Sequence, residues 1–376
     1  MEKLSASEIK LQNRQMVYRY IRENGPVSKQ DIVVALQLSL PTVTQNLEYL
    51  KKQGLIDASR KIKHTGGRNA TAYTYIKNAK TAIGVSLTAN HMSVVAVDLS
   101  GEVIGLVREK AVFDLGDETY LKKLGETVEL VKETAGISTE RLLGVGISVP
   151  GFISDDGEEV TYGRTLGFTG RKREEIARYI PYRHFLVHDS YAAGCMESWE
   201  NHRITNAFYI SLGNSIGGTV IIQNEIYQGD SRKGGEIGHM TVVPSGGKTC
   251  YCGKKGCFDT VCRATNLDTY TDGNLEEFFL RLKQGDKKAE KMWKEYLNHL
   301  SLAIHNIRML FDGSIILGGY VGAYIGDYME LLCQKVDARN PFGDKAEQYL
   351  LECRYKVEAV AAGAAIFYVD RFLKSI

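Results

Sequence analysis

Residues 234–257 read GGEIGHMTVVPSGGKTCYCGKKGC and set three cysteines and one histidine in a glycine-rich frame. Cys250, Cys252 and Cys257 offer three thiolates, and His239, eleven residues upstream of the first, offers an imidazole. Zinc takes four such ligands in a tetrahedron, and a site built entirely from protein ligands is ordinarily structural. Gly246, Gly247, Gly253 and Gly256 free the backbone to bend round an ion. The one-residue gap between Cys250 and Cys252 suits a disulfide poorly, and the intervening lysines and glycines are not the company of buried core thiols. The sequence therefore predicts a structural Zn2+ held by His239, Cys250, Cys252 and Cys257. Cys262 falls outside the spacing and reads as a buried thiol.

The elements that must position this knot belong to a chain of 376 residues, enough for two to three domains, with 44% hydrophobic and 24% charged residues, an ordinary globular composition. No apolar run approaches the ~18 residues of a membrane helix, and the start, MEKLSASEIK, lacks a signal-peptide core. A cytoplasmic location without membrane association is expected. Four of the seven cysteines lie within positions 250–262, and their odd number does not resemble a secreted disulfide framework. Charge is uneven: residues 1–80 hold 14 Lys+Arg against 6 Asp+Glu, a net of +8, whereas the remainder holds 33 against 39, a net of −6. A basic N-terminal module for a polyanion, attached to a body that is not one, is the natural inference.

That module reads as three helices and a hairpin. Ile9, Met16, Val17, Tyr20 and Ile21 recur at helical spacing until Asn24-Gly25-Pro26 breaks the run. Ser28 and Asp31 make a capping-box pattern for a second helix. Ser39 with Pro41 opens a third, whose apolar stripe is Val43, Leu47 and Leu50. Thr42, Gln45, Asn46 and Tyr49 are expected on the opposite face, for the major groove. The runs around His64-Thr65-Gly66-Gly67-Arg68 read as a β-hairpin wing, with Lys61, Lys63 and Arg68 toward phosphates.

From Thr81 onward, TAIGVSLTA, HMSVVAVDLS and EVIGLVREK read as consecutive strands, followed by a helix near 118–135 and the strand LLGVGISVP. AFYISLG, GGTVIIQN and EIYQG begin a weak repeat of that order, which continues through helices near 275–310, the strand SIILGG and a terminal helix. Two α/β lobes with a cleft between them are expected.

These motifs resemble the ROK family of repressors, open reading frames and kinases. The resemblance runs from GPVSKQDIVVALQLSLPTVTQNLEYLKKQGLI and TGGR, through VGISVPGFI and SLGNSIGG, to GGEIGHM…CYCGKKGC and IILGG. It implies an α/β fold: an N-terminal winged helix-turn-helix on a two-lobed actin/hexokinase-like (ribonuclease H-like) body. The boundaries expected are 1–76 for DNA binding, 80–190 plus 360–376 for the first lobe, and 191–359 for the second with the zinc motif. It further implies a sugar in the cleft, touched by Glu236 and by His239, whose second ring nitrogen would face the ligand. Asp259 stands where the family has a glutamate that contacts sugar, one methylene shorter.

The family's kinases need a base, a glycine-rich phosphate cradle and a metal-orienting carboxylate. HDSYAAG keeps the base as Asp189 but has His188 and Tyr191 where the family has asparagines. The cradle departs more. An Asp-x-Gly-Gly-Thr loop is replaced by Ser86-Leu87-Thr88-Ala89-Asn90, so the carboxylate and both glycines are gone, and Cβ atoms obstruct the approach of backbone N–H groups to phosphate. Gly213, Gly217, Gly218, Gly318 and Gly319 remain in the later loops. In the stretch TYGRTLGFTG, Arg164 or Thr165 stands near a family asparagine and Phe168 is the expected aromatic; Arg164 would suit an anionic ligand or be a plain surface arginine.

Together these readings give a sugar-responsive DNA-binding regulator, expected to be a repressor of carbohydrate genes similar to those of the xylose and N-acetylglucosamine type. It would act as a homodimer or dimer of dimers on palindromic operator DNA, with a sugar or sugar phosphate as effector. Asp189 would serve as a hydroxyl acceptor, and ATP is not expected. The rivals are an ATP-dependent sugar kinase with an accessory DNA-binding module, and a repressor governed by a partner protein.

Overall fold

The computed structural model of the chain describes residues 5–62, 70–199, 201, 204–356 and 358–376. Lys63 and Arg68, with the tip of the expected wing, lie outside the described residues.

Three helices open the chain, each started by a serine. Ser5 accepts from Glu8 N–H and donates its own N–H to the Glu8 carboxylate, a capping box for α1 (Ala6–Asn24). Ser28 and Asp31 repeat the device for α2 (Lys29–Leu36), and Ser39 caps α3 (Leu40–Lys52), with Pro41 in its first turn. An antiparallel pair, β1 (Ile56–Ile62) and β2 (Ala70–Tyr75), follows. Val17, Ile21, Ile32, Val43, Leu47 and Leu50 are buried together between them. The order, three helices and then an antiparallel strand pair, is the one expected for this N-terminal segment.

The body contains two five-stranded sheets of the same design. The first comprises β3 (Thr81–Leu87), β4 (His91–Asp98) and β5 (Val103–Lys110), then, after α4 (Glu118–Thr134), β6 (Leu142–Val149). A small hairpin, β7 (Phe152–Ile153) and β8 (Val160–Tyr162), and the short α5 (Arg173–Ile176) precede β9 (His184–His188). Its order is β5-β4-β3-β6-β9, antiparallel on the β5 side and parallel across β3, β6 and β9. The central strands, covered on both faces, are near-continuous apolar runs: β3 and β4 bury all but three of their residues.

The chain then crosses through α6 (Asp189–Ser198) to the second sheet: β10 (Ala207–Leu212), β11 (Ile216–Ile222) and β12 (Glu225–Tyr227). The metal-type loop and the short helices α7 (Asp259–Cys262) and α8 (Thr265–Asp268) come next, then α9 (Leu275–Lys283) and α10 (Lys287–Leu310). β13 (Ser314–Gly318), α11 (Gly319–Gly322), α12 (Met329–Asp337) and β14 (Leu350–Glu352) complete the lobe, in sheet order β12-β11-β10-β13-β14. α10 buries Trp293, Tyr296, Leu297, Leu300, Ile304 and Ile307, a stripe at three- and four-residue steps, against this sheet and the Phe278–Phe279 pair of α9.

α13 (Ala359–Ser375) returns to the first lobe and lies on β3, β6 and α6 with almost no side chains between. A Cβ on Gly84 would strike the Ala361 carbonyl, and one on Gly363 would strike the Ala192 carbonyl. Two crossings between the lobes, at α6 and at residues 353–356, are tied by one side chain. Glu197, 1% exposed, accepts from the N–H groups of Arg354 (3.0 Å) and Tyr355 (2.9 Å). Burial pushes its carboxyl above the usual range, opposed by those two donors. At the far end, Gln15 of α1 donates to the Lys374 carbonyl of α13 (2.6 Å), and Arg22 sits 5.8 Å from the Trp199 ring, just after α6.

Candidate functional site

His239 ends a short helical turn, Ile237–His239. The three cysteines lie on a tight loop in which Cys250 N–H donates to the Lys254 carbonyl (2.7 Å) and Gly253 N–H to the Cys250 carbonyl (2.9 Å). Gly256 carries the return at φ +76°, where a Cβ would strike the Val243 carbonyl, so only glycine fits. His239 Nδ1 is 3.7 Å from Cys250 Sγ, Cys252 Sγ is 3.7 Å from Cys257 Sγ, and all four donor atoms lie within 4.8 Å of one another. A tetrahedron with Zn–S bonds of about 2.3 Å has ligand-to-ligand edges of about 3.8 Å. The donor set, its spacing and the four free ligands thus form a cluster able to hold a metal ion. Cys262 stands apart, fully buried, its thiol toward the Tyr296 carbonyl at 3.7 Å.

Beside the knot is a cavity of about 40 Å³ lined by Phe152, Tyr162, His188, Asp189, Glu236 and Tyr251, among others. β9 and α6 meet there, so Asp189 occupies the first turn of a helix, where the backbone dipole favours a carboxylate. Ser190 Oγ and His188 Nδ1 share a hydrogen bond of 2.8 Å, and His188 Nε2 lies 3.7 Å from Glu236 Oε1. The His188 ring stacks on Phe152 (5.9 Å, 21°), which stacks in turn on Tyr162 (5.4 Å, 30°). Burial raises the Glu236 carboxyl above its usual value; His188 opposes the rise and Asp189 adds to it.

Of the residues expected to meet sugar, Asp189 and Glu236 converge on this cavity. His239 does not line it. Nδ1 faces the cysteines, and Nε2 is 3.2 Å from the Tyr251 hydroxyl, so Tyr251 stands between the imidazole and the cavity. Asp259 is corrected: it is 1% exposed, its Oδ1 accepts from Ile216 N–H at 2.8 Å, and it braces the start of β11 instead of facing the cavity. Phe168 is likewise a core residue, 2% exposed and edge-on to Phe113, and the aromatic walls are Phe152, Tyr162 and Tyr251. Arg164 is exposed, over the Tyr162 ring at 5.4 Å, and Thr165 reaches the cavity. Tyr251 and His188 escaped the sequence reading as contacts. The available signal for Tyr251 was its place between two metal-type cysteines, which fixes its backbone.

On α3, Gln45 is exposed, and Tyr49 presents its edge with the Arg14 guanidinium 3.6 Å from its ring centre. Thr42 is half-buried, its hydroxyl 2.8 Å from Ser39 Oγ, and Lys61 is exposed on β1. Asn46 is a correction: it is 2% exposed and donates Nδ2 to the Thr42 carbonyl at 3.0 Å. It sits three residues after Val43 and four before Leu50, which puts it on the inner face.

A second cavity, of about 110 Å³, adjoins the first and shares Pro150, Thr165, Asp189, Ser211 and Ser215 with it. Ser86, Leu87, Thr88 and Ala89 form part of its wall. Thr88 folds this turn on itself: Oγ1 donates to the His91 carbonyl (3.0 Å) and accepts from His91 N–H (3.1 Å).

Two α/β lobes of repeated topology, with a cavity at their junction, follow an N-terminal unit of three helices and an antiparallel strand pair. The ROK family model matches residues 82–370, and the chain belongs to that family. It is 22% identical over 388 aligned positions to the xylose repressor of Caldicellulosiruptor bescii, covering 96% of each chain. It is 33% identical over 210 residues to a glucokinase of Halalkalibacterium halodurans, covering 54% of this chain and 60% of the enzyme. A crystal structure of a ROK family transcriptional regulator, a homologue of the E. coli MLC protein, superimposes with a TM-score of 0.75 at 21% identity, over 98% of this chain and 97% of that one.

Proposed function

We propose that the protein is a sugar-responsive repressor of carbohydrate-metabolism genes. The observation that carries it is the convergence of Asp189, Glu236 and His188 in one cavity, braced by a Cys3His cluster, beside a turn at 86–90 that has neither glycine nor carboxylate. Glu236 and Asp189 accept sugar hydroxyls, His188 adds a donor or acceptor, and the Phe152 and Tyr162 rings meet the apolar face of the sugar. His239, Cys250, Cys252 and Cys257 hold Zn2+, which fixes the loop carrying Tyr251. Phosphoryl transfer does not follow, since no cradle or metal-orienting carboxylate stands at positions 86–90.

At the other end, α3 presents Gln45, Thr42 and Tyr49 to the major groove and β1 presents Lys61 to phosphates. A cytoplasmic homodimer, or a dimer of dimers, would set two such heads on a palindromic operator. The chain segment 1–76 is then the DNA-binding unit, with 80–190 plus 360–376 and 191–359 as the lobes. α6 links the two ends: Asp189 starts it in the cavity, and Trp199 follows its last turn against Arg22 of α1. A sugar that alters the angle between lobes therefore alters what α1 rests on.

A sugar thermal-shift screen, coupled to operator binding at fixed salt, tests the proposal. A sugar that raises the Tm and changes operator affinity supports it; no shift by any sugar defeats it. The glucokinase likeness and the retained Asp189 favour a second reading, a sugar kinase, which requires ATP-dependent turnover of the sugar that binds.

A further inference from the structure

The second cavity is nearly three times the first, about 110 Å³ against about 40 Å³, and Asp189 stands in the wall of both. In a phosphoryl-transfer enzyme this space would be closed by phosphate and a glycine loop. Here side chains furnish much of it, beside Gly213 and Gly319 of the later loops. Leu87, Leu166 and Val360 make an apolar side, Tyr320 an aromatic one, and Ser93 and Arg108 a polar edge. Arg108 lies over the Tyr320 ring, its guanidinium 5.7 Å from the ring centre, and both side chains line the cavity. An aromatic ring beside hydrogen-bond donors is how proteins hold a sugar ring, with C–H groups against the ring and hydroxyls on the donors.

Resting on the sugar-sensing proposal, we infer that the second cavity is a subsite for a second sugar ring, and that the effector is a disaccharide spanning both cavities. The glycosidic oxygen passes Asp189, the non-reacting carboxylate at the junction. A phosphate in place of the second ring would gain Arg108, which also lines this cavity, but would have to pass Asp189. Attached to a sugar in the first cavity it would meet Asp189 before anything else, like charge against like charge. The turn beyond spends Thr88 Oγ1 on His91 and offers no glycine for a backbone cradle. Lys356, also on the wall, is held by the Ala323 carbonyl (3.2 Å) and Glu352 (3.3 Å).

Calorimetric titration of the full chain with xylose, glucose, N-acetylglucosamine and mannose, beside xylobiose, cellobiose, chitobiose and mannobiose and glucose 6-phosphate, tests the inference. For the sugar type recognised, the disaccharide is expected to bind at least tenfold more tightly than its monosaccharide. Ala89→Trp fills the second cavity and Arg108→Ala removes its guanidinium; both positions are exposed. Each variant should reduce the gain to within about threefold and leave the monosaccharide Kd unaltered. Equal binding of the two sugars, a gain that survives both variants, or tighter binding of glucose 6-phosphate than of any disaccharide overturns the second subsite while leaving sugar sensing intact. Binding of no sugar at all overturns the sugar-sensing proposal and the subsite with it.

Discussion

The loop at 239–257 and the turn at 86–90 serve the same cleft and depend on opposite things. The first works through side chains: four donor atoms within 4.8 Å, each indispensable to a tetrahedron. A phosphate cradle works through their absence, because backbone N–H groups must come close to an anion. A metal knot is therefore lost by one substitution and a cradle by one added Cβ, but only the knot's loss also costs the fold its cross-link. The contrast explains how a body can keep its shape and its cavity while its second loop changes freely.

The sharpest way to break that comparison is to disrupt the proposed metal site. Metal binding contributes about 10–16 kcal/mol to small zinc-nucleated folds. Cys257→Ser, or a strong chelator, should lower the Tm by several degrees or more and abolish sugar-induced stabilisation; metal content by mass spectrometry and a melting curve check this. An unchanged melt with no bound metal would make the knot a decoration.

The next effect lies at the DNA end. Gln45→Ala should weaken operator binding by about 1–3 kcal/mol without altering the melt, read by anisotropy at constant salt. Asn46→Ala should do the reverse: about 1 kcal/mol of stability lost in urea, through the bond to the Thr42 carbonyl, with base preference retained.

Sugar affinity should depend on pH through Glu236. Burial raises its carboxyl in the folded protein, so acidification protonates it early and removes a hydroxyl acceptor. Affinity should fall as pH drops through that raised value, and Glu236→Gln should flatten the profile in calorimetry. Stability moves the other way. A carboxyl raised on folding contributes stability below its unfolded pKa, and that contribution is lost as pH rises through the folded value.

The smallest effect is expected where loss is easiest. Restoring Thr88→Gly with Ala89→Gly should yield no ATP-dependent sugar phosphorylation in a coupled assay, since the carboxylate missing at Ser86 is also required.

The four metal-type ligands, the three N-terminal helices with the caps of the second and third, and the paired β-β-β-α-β order were legible in the sequence because each depends on local spacing. What was not legible depended on neighbours distant in the chain. Asp259 turns to Ile216, 43 residues away, and Phe168 to Phe113, so neither acid nor ring was available to the cavity. Asn46 shows the limit of a polar-outside rule: its amide is satisfied within its own helix, which lets it face the core. Tyr251 was hidden by its own neighbours, whose cysteines drew the chemistry.

The Glu197 clasp has one more consequence. Two strands of chain that pass between the lobes are pinned at the same carboxylate, and Gly84 and Gly363 leave no compliant layer beneath α13. The clasp thus acts as a fulcrum between the lobes, and α13 is a stiff lever fixed to one of them. A small rotation at the clasp is magnified in proportion to distance along that lever, so the largest displacement falls at its C-terminal tip, where Gln15 anchors the first helix.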